Sequence, residues 1–360
     1  MDRDHGGDID RAARRFGTGD WLDLSTGINR RPWPVGTLPD HVWRALPTAA
    51  ARDRLIGVAA GRLGCDPSRV LPVAGASAAI QLLPRLLPRG RASVLAPSYN
   101  EHAASLRAAG WTVDEVKDPQ DMAGADLAVL VNPNNPDGRE WRPQTLGRLA
   151  GRVGHLLVDE SFADPRPDLS LAATCPDNTL ILRSFGKFWG LAGLRLGFVI
   201  AAPAILSRIA EESGPWPVNG PALEIGARAM ADRDWAEDAI LYHSEASLHL
   251  DHVAQRAGWQ PLGGTHLFRL YDTPDAGQAR DGLAHARIWT RRFPYSRHWL
   301  RLGIPGSAAE WDRLQDALGR LALLPNTSGG IGRRPRGAAP LPARRQGQAG
   351  FVSRPRLRIV

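Results

Sequence analysis

Between residues 50 and 212 short apolar runs alternate with helix-periodic stretches, and this alternation restricts the fold more than any other feature of the chain. The runs are Val70-Leu71-Pro72-Val73, Ala92-Ser93-Val94-Leu95-Ala96, Asp126 to Val131, His155 to Val158, Thr179 to Leu182 and Phe198-Val199-Ile200. Each has the length of a buried strand and is too short for a helix. Residues 51–63 place Ile56, Ala59, Ala60 and Leu63 at i, i+3, i+4 and i+7, one face of a helix, and Ala78 to Leu87 reads as another. The pattern predicts a large α/β domain with a mostly parallel sheet. After about residue 212 it changes to long helical stretches at 221–232 and 236–256 and a few strands, among them 263–270. The expected organisation is an N-terminal segment (1–38), a large domain (39–212), a smaller C-terminal α/β domain (213–325) and a tail (326–360).

Charge locates rather than defines the chemistry. The net charge is +8, but residues 326–360 hold eight arginines and no lysine or acid, so the remainder carries 37 basic against 37 acidic residues. With many Gly and Pro and few apolar residues, the tail reads as disordered. It could bind polyanions weakly, or be an extension without function. Neither reading makes specific nucleic-acid binding the business of the body. No apolar run is as long as a membrane span, and the polar opening Met1-Asp2-Arg3-Asp4-His5 is no signal peptide. Cys65 and Cys175 lie far apart and outside any metal-binding spacing, so reduced thiols, no metal site and a cytoplasmic location are expected.

One residue stands out chemically. The chain has 43 arginines and two lysines, Lys117 and Lys187. Arginine serves wherever charge alone is wanted, but a Schiff base needs a primary amine whose pKa can be lowered. Lys187 sits in Ser184-Phe185-Gly186-Lys187-Phe188-Trp189-Gly190-Leu191-Ala192-Gly193-Leu194-Arg195-Leu196-Gly197, a glycine-rich connection between two apolar runs. Other carboxyl ends of the apolar runs are also polar. Gly75-Ala76-Ser77 opens a helix, which is an anion site or simply an N-cap. Pro97-Ser98-Tyr99-Asn100-Glu101-His102 and Asn132-Pro133-Asn134-Asn135-Pro136-Asp137-Gly138 follow two further runs. Asp159 ends another, where open α/β sheets bind ligands.

The segment Ser-x-Gly-Lys-x-x-Gly-Leu-Ala-Gly-Leu-Arg-x-Gly closely resembles the cofactor-lysine segment of fold-type I pyridoxal-phosphate enzymes, in the branch of histidinol-phosphate aminotransferase and threonine-phosphate decarboxylase. The resemblance covers about residues 5–325 and implies that fold, with pyridoxal 5'-phosphate as cofactor and a homodimer whose sites lie at the subunit interface. It implies a Schiff base at Lys187 and phosphate contacts from Ser184, Arg195 and the Gly75-Ala76-Ser77 turn. Tyr99 would stack on the pyridine ring, Asn135 would donate to the phenolic oxygen, and Asp159 would pair with the ring nitrogen. His5, Gly27 and Asn29, from His5-Gly6-Gly7 and Asp23 to Asn29, match segments near the substrate. Arg301, in Leu300-Arg301-Leu302-Gly303, matches a carboxylate-binding arginine, and Arg291 matches one that binds a substrate phosphate; either could instead be a surface arginine. The sequence departs from the family at Leu46, where a tyrosine reaching the partner subunit is common, at Phe162, where a tyrosine is common, and at Asp137, where the family has threonine.

Arg301 would serve transamination and decarboxylation alike, so it does not choose between them. The N-terminal His-Gly-Gly, Leu46-Pro47, Phe162, Gly263-Gly264-Thr265-His266-Leu267-Phe268-Arg269-Leu270 and Ile288-Trp289-Thr290-Arg291-Arg292-Phe293 look most like the threonine-phosphate decarboxylases of cobalamin synthesis. The implied reaction converts L-threonine O-3-phosphate to (R)-1-aminopropan-2-yl phosphate and CO2. Histidinol-phosphate aminotransferase is the alternative. A non-catalytic regulator of the same fold is a third reading, although no helix-turn-helix segment fits in the basic tail.

Overall fold

The computed structural model describes residues 5–323; the tail at 326–360 lies outside the described residues. A two-residue strand near the N-terminus, β1 (Leu22–Asp23), precedes seven strands that build the main sheet. These are β2 (Val70–Val73), β3 (Arg91–Leu95), β4 (Thr112–Val116), β5 (Leu127–Val131), β6 (His155–Asp159), β7 (Thr179–Ser184) and β8 (Gly197–Ile200). Their spatial order is β2-β8-β7-β6-β5-β3-β4. The pairs β3/β4, β3/β5, β5/β6 and β6/β7 are parallel, while β8 runs antiparallel to both β2 and β7. The glycine-rich connection explains that one reversal. It returns the chain from β7 to its neighbour β8 through a single helical turn, Phe185–Phe188, and a short 3-10 turn, leaving no room for a crossover helix.

Two apolar cores flank this sheet. On one face the helix Ala76–Leu86 packs Ile80 and Leu83 with Val94, Val129 and Leu182. On the other, helix Ala49–Leu63 buries Leu55, Ala59 and Ala60, with Ile56 at the flank of the stripe rather than within it. That helix starts at Thr48, whose side chain accepts from the Ala51 N–H, and stops at Gly64 in the left-handed region (φ 69°). It packs against Gly220–Ala231, where a Cβ on Gly226 would come within 2.5 Å of Leu196 Cδ2 and 3.1 Å of Leu55 Cδ1. Val218, Ala222 and Ala236 therefore belong to the large core, and a boundary at 212/213 falls too early. The change of core occurs inside the long helix Arg233–Arg256, with Ala236 in one core and Ala246, Leu250 and Val253 in the next.

The smaller sheet contains β9 (Gln260–Thr265), β10 (Phe268–Asp272), β12 (Arg291–Arg292) and β13 (Trp299–Gly303), in the order β12-β13-β10-β9, all antiparallel. The single strand expected at 263–270 is two, since the chain turns at His266-Leu267 and Thr265 pairs with Phe268. The remaining strand, β11 (Ile288–Trp289), pairs with β1. Leu22 and Leu24 join Leu250, Tyr271, Leu300 and Leu302 in the core of this lobe. The N-terminal segment is thus structurally part of the small lobe, and it passes from there to the site.

Candidate active site

A cavity of about 570 Å3 opens where the carboxyl ends of the parallel strands meet β12, β13 and the N-terminal segment. Lys187 enters it from the helical turn after β7. Its backbone carbonyl accepts from Asn29 N–H at 2.9 Å, and the Asn29 side chain donates to the Phe188 carbonyl at 2.9 Å. Two hydrogen bonds from one buried asparagine thus hold the turn. The Lys187 ammonium lies 5.6 Å from the Phe162 ring centroid. Burial, reinforced by the Arg301 charge and opposed by Asp159, pulls its pKa down to about 8.

Asp159 ends β6 and is 2 % exposed. Its Oδ2 meets His102 Nε2 at 2.9 Å, and its Oδ1 accepts from the Ser161 N–H and hydroxyl. Burial alone would raise this carboxyl, but the His102 and Ser161 hydrogen bonds outweigh it and hold the group below its ordinary value. Strand alternation sends the next residue, Glu160, to the opposite face. There it pairs with the buried Arg183 at 2.9 Å, and Arg183 bonds Asp164 at 2.9 Å. The end of β6 is therefore tied to β7 behind the cavity while Asp159 faces into it.

The far wall is built for an anion. Gly75 (φ 81°) caps the 11-residue helix that begins at Ala76, and Gly75, Ala76, Ser77, Ser184 and Arg195 all line the cavity. A Cβ on Gly75 would stand 2.8 Å from Arg195 Nη2, so only glycine leaves that cradle open. Arg195 is itself left-handed (φ 56°) and donates to the Ala192 carbonyl at 3.0 Å. Tyr99 sits edge-on to His102 at 5.9 Å, and burial raises its phenol to about 12.

Arg301 on β13 is 6 % exposed. It donates to Asn135 Oδ1 and, at 2.7 Å, to the Ser25 carbonyl, while its Nε is a buried donor with no acceptor among the described residues. Because Asn135 Oδ1 accepts from Arg301, Nδ2 remains as the donor the amide can offer another group. Arg291 on β12 lies directly across the ladder from Arg301 and also lines the cavity. His5 reaches the mouth, 3.0 Å from Glu101.

Two expected substrate residues are placed elsewhere. Gly27 does not line the cavity; a Cβ there would lie 2.7 Å from Phe162 and 2.9 Å from Phe268, so its role is to let those two rings pack edge to face at 4.9 Å. Asn29 is consumed by the Lys187 turn. Asp137, where the family has threonine, bonds Asn134, the Arg139 N–H and Arg139 Nε, fixing the turn that presents Asn135. Leu46 is 63 % exposed. Sequence reading assigned no role to His102, Ser161 or Tyr295. The signal for His102 was present, since Tyr99 and His102 are three apart at a helix start.

The residues fit a phosphate-bearing pyridine aldehyde. The glycine cradle, the open helix N-terminus and Arg195 suit its phosphate, the depressed Asp159 suits a cationic ring nitrogen, and Lys187 is an amine with a lowered pKa.

Comparison with known proteins agrees. The profile of the family "Aminotransferase class I and II" matches residues 41–318. Threonine-phosphate decarboxylase of Sinorhizobium sp. is 44 % identical over 329 residues, covering 89 % of this chain and 98 % of that protein. The Pseudomonas aeruginosa protein of the same name is 42 % identical over 326 residues, covering 88 % and 97 %. The crystal structure of histidinol-phosphate aminotransferase from Sinorhizobium meliloti in complex with pyridoxal-5'-phosphate superposes with a TM-score of 0.76 at 21 % identity, over 87 % of this chain and 94 % of that one. From the cavity geometry and these matches, the chain belongs to the aminotransferase class I and II family.

Proposed function

We propose that this protein decarboxylates L-threonine O-3-phosphate to (R)-1-aminopropan-2-yl phosphate and CO2, with pyridoxal 5'-phosphate as its cofactor. The observation that carries the reading is the pair Arg291 and Arg301, side by side on one ladder and both on the cavity of Lys187. Two cations so placed suit a small substrate with two anionic groups. The two decarboxylase relatives, matched over nearly their whole length, supply the reaction class.

Lys187 would hold the cofactor covalently, Gly75, Ala76, Ser77, Ser184 and Arg195 its phosphate, Tyr99 its ring face, Asn135 its phenolic oxygen and Asp159 its ring nitrogen. When bound, the cofactor supplies an electron sink for a bond broken at the substrate's α-carbon. The chain decides which bond. Arg301 grips the carboxylate and Arg291 the phosphate, and the two grips set the rotation about the α-carbon. Asp159 stays ionised at working pH because His102 and Ser161 stabilise the carboxylate. Once CO2 leaves, a proton must reach the α-carbon, and Lys187 Nζ, with a pKa of about 8, is the group suited to deliver it.

Transamination of histidinol phosphate is the second reading, since the Sinorhizobium meliloti structure of that name shares the fold. Phe162 bears against it. A phenyl ring beside Lys187 gives no hydrogen bond to the cofactor oxygen, which matters most for an enzyme that must cycle its cofactor to the amine form and back. The protein is further read as a cytoplasmic homodimer. Trp43 and Leu46, 66 % and 63 % exposed, offer apolar surface for a second copy. Incubation of the purified protein with cofactor and carboxyl-labelled threonine phosphate, without any oxo acid, tests the reaction. Label should leave as CO2 and aminopropanol phosphate should accumulate; release of labelled oxo acid instead would overturn the assignment.

A further inference from the structure

The hairpin joining β12 to β13 brings Phe293, Pro294 and Tyr295 to the cavity that holds Arg291 and Arg301. Tyr295 lines that cavity yet is 55 % exposed, which places it at the mouth. It is not a loose side chain. The Phe293 ring lies 5.5 Å away, and Trp299 meets it edge-on at 6.0 Å. The turn beneath is tightened by Ser296 Oγ, which accepts from the backbone N–H groups of His298 and Trp299 at 3.2 and 3.1 Å.

Tyr295 lines the same cavity as Arg291 and Arg301, and the strand that carries Arg291 leads into its hairpin. Partial burial of the phenol, against the opposing charges of Arg291 and Arg301, raises it to about 12, so it remains a neutral O–H donor at any working pH. Depth separates the two anion positions. Arg301 is buried among Asn135, Ser25 and Phe268 and lines the same cavity as Lys187 and Asp159. Arg291 belongs to the short strand from which the rim hairpin springs, next to Phe293 at 5.5 Å. A ligand whose carboxylate reaches Arg301 would therefore present its distal group between Arg291 and Tyr295.

We infer that Tyr295 is a specificity-determining residue of this cavity, donating its phenolic O–H to the distal phosphate of a phosphomonoester substrate beside Arg291. This rests on the proposed reading only in taking the substrate to be phosphorylated. A ring packed against two others offers a pre-organised donor at little entropic cost. A site built to hydrogen-bond a substrate group discriminates strongly against analogues that lack it. A purely apolar role does not account for a ring more than half exposed on the wall of the cavity that Arg291 and Arg301 also line.

The test compares wild type and Tyr295→Phe by calorimetric titration of the holoenzyme with threonine phosphate, threonine and inorganic phosphate. The substitution keeps the ring and its packing and removes only the hydroxyl. Loss of one hydrogen bond to a charged group should weaken threonine phosphate about tenfold. Inorganic phosphate should weaken in parallel, while threonine moves less than about twofold by the same reasoning. Equal weakening of threonine and threonine phosphate would overturn the inference in favour of ring packing, and so would unchanged affinity for all three ligands. A wild type that binds threonine phosphate no better than threonine would overturn it as well. If phosphate selectivity exists and falls with the hydroxyl but no CO2 is released, the inference stands and the proposed reaction is wrong.

Discussion

Arg291 and Arg301 are direct partners across an antiparallel ladder, so two guanidinium groups stand on the same face of one small sheet. Like charges in that relation repel, and Arg301 is held below its ordinary pKa first by burial and then by Arg291. Anions beside the pair offset that repulsion. Threonine phosphate should therefore raise the melting temperature of the protein, by about 2.7 kcal/mol of stabilisation at a hundredfold excess over its Kd. Arg291→Ala should weaken that ligand by about 2 kcal/mol or more while sparing threonine, because it removes one partner of a charge pair. Equal losses for both ligands in thermal shift would show that Arg291 does not read the phosphate.

Lys187 carries a pH signature. Its folded-state pKa of about 8 lies below the ordinary 10.5, so the unfolded chain binds more protons between those values. The cofactor-free protein should gain stability from this group as pH rises from about 8 to about 10.5, and lack that gain below 8. Capture of pyridoxal phosphate by the cofactor-free protein, followed by absorbance, should speed up through pH 8 and then level off, since only the neutral amine is nucleophilic. Borohydride should fix the cofactor to Lys187, and Lys187→Ala should take up no reducible adduct. A peptide map with the adduct on Lys117 would contradict the assignment.

Asp159→Asn should reduce turnover by orders of magnitude while cofactor remains bound, because the lost carboxylate stabilises charge most in the transition state. His102 and Ser161 would keep two of the variant's polar contacts, so the fold should survive. Near-normal turnover with an intact circular dichroism spectrum would reduce Asp159 to a strand-end cap.

Much of this site was legible because its residues come from single strand ends. Ser184, Lys187 and Arg195 lie at or near one connection, Asp159 ends β6 and Asn135 lies in the turn after β5, so local pattern sufficed to bring them forward as candidates. Gly27 and Asn29 were misplaced because their neighbours, Phe162, Phe268 and the Lys187 turn, are distant in sequence. Tyr295 escaped notice for a related reason. Its meaning depends on the Arg291–Arg301 register and on a hairpin whose direction no periodicity reveals. The early domain boundary has a similar origin, since helix Gly220–Ala231 looks like the helices that follow it but packs into the preceding core.

Trp43 and Leu46 are large apolar side chains exposed on or beside the short helix His41–Arg44. If they are covered by a second copy, sedimentation equilibrium should give a dimer at micromolar concentration, and Trp43→Asp with Leu46→Asp should shift it toward monomer with a loss of activity. A wild-type monomer retaining full activity would contradict the shared-site reading.

The choice of substrate and of the bond broken is decided by a side-by-side turnover assay on the holoenzyme. One arm contains threonine phosphate alone, with CO2 release followed; the other contains histidinol phosphate with 2-oxoglutarate, with glutamate formation followed. The paired arginines, Phe162 and the decarboxylase relatives predict that the first arm turns over faster, with no requirement for an oxo acid. Faster glutamate formation in the second arm, with little CO2 from the first, would contradict the account.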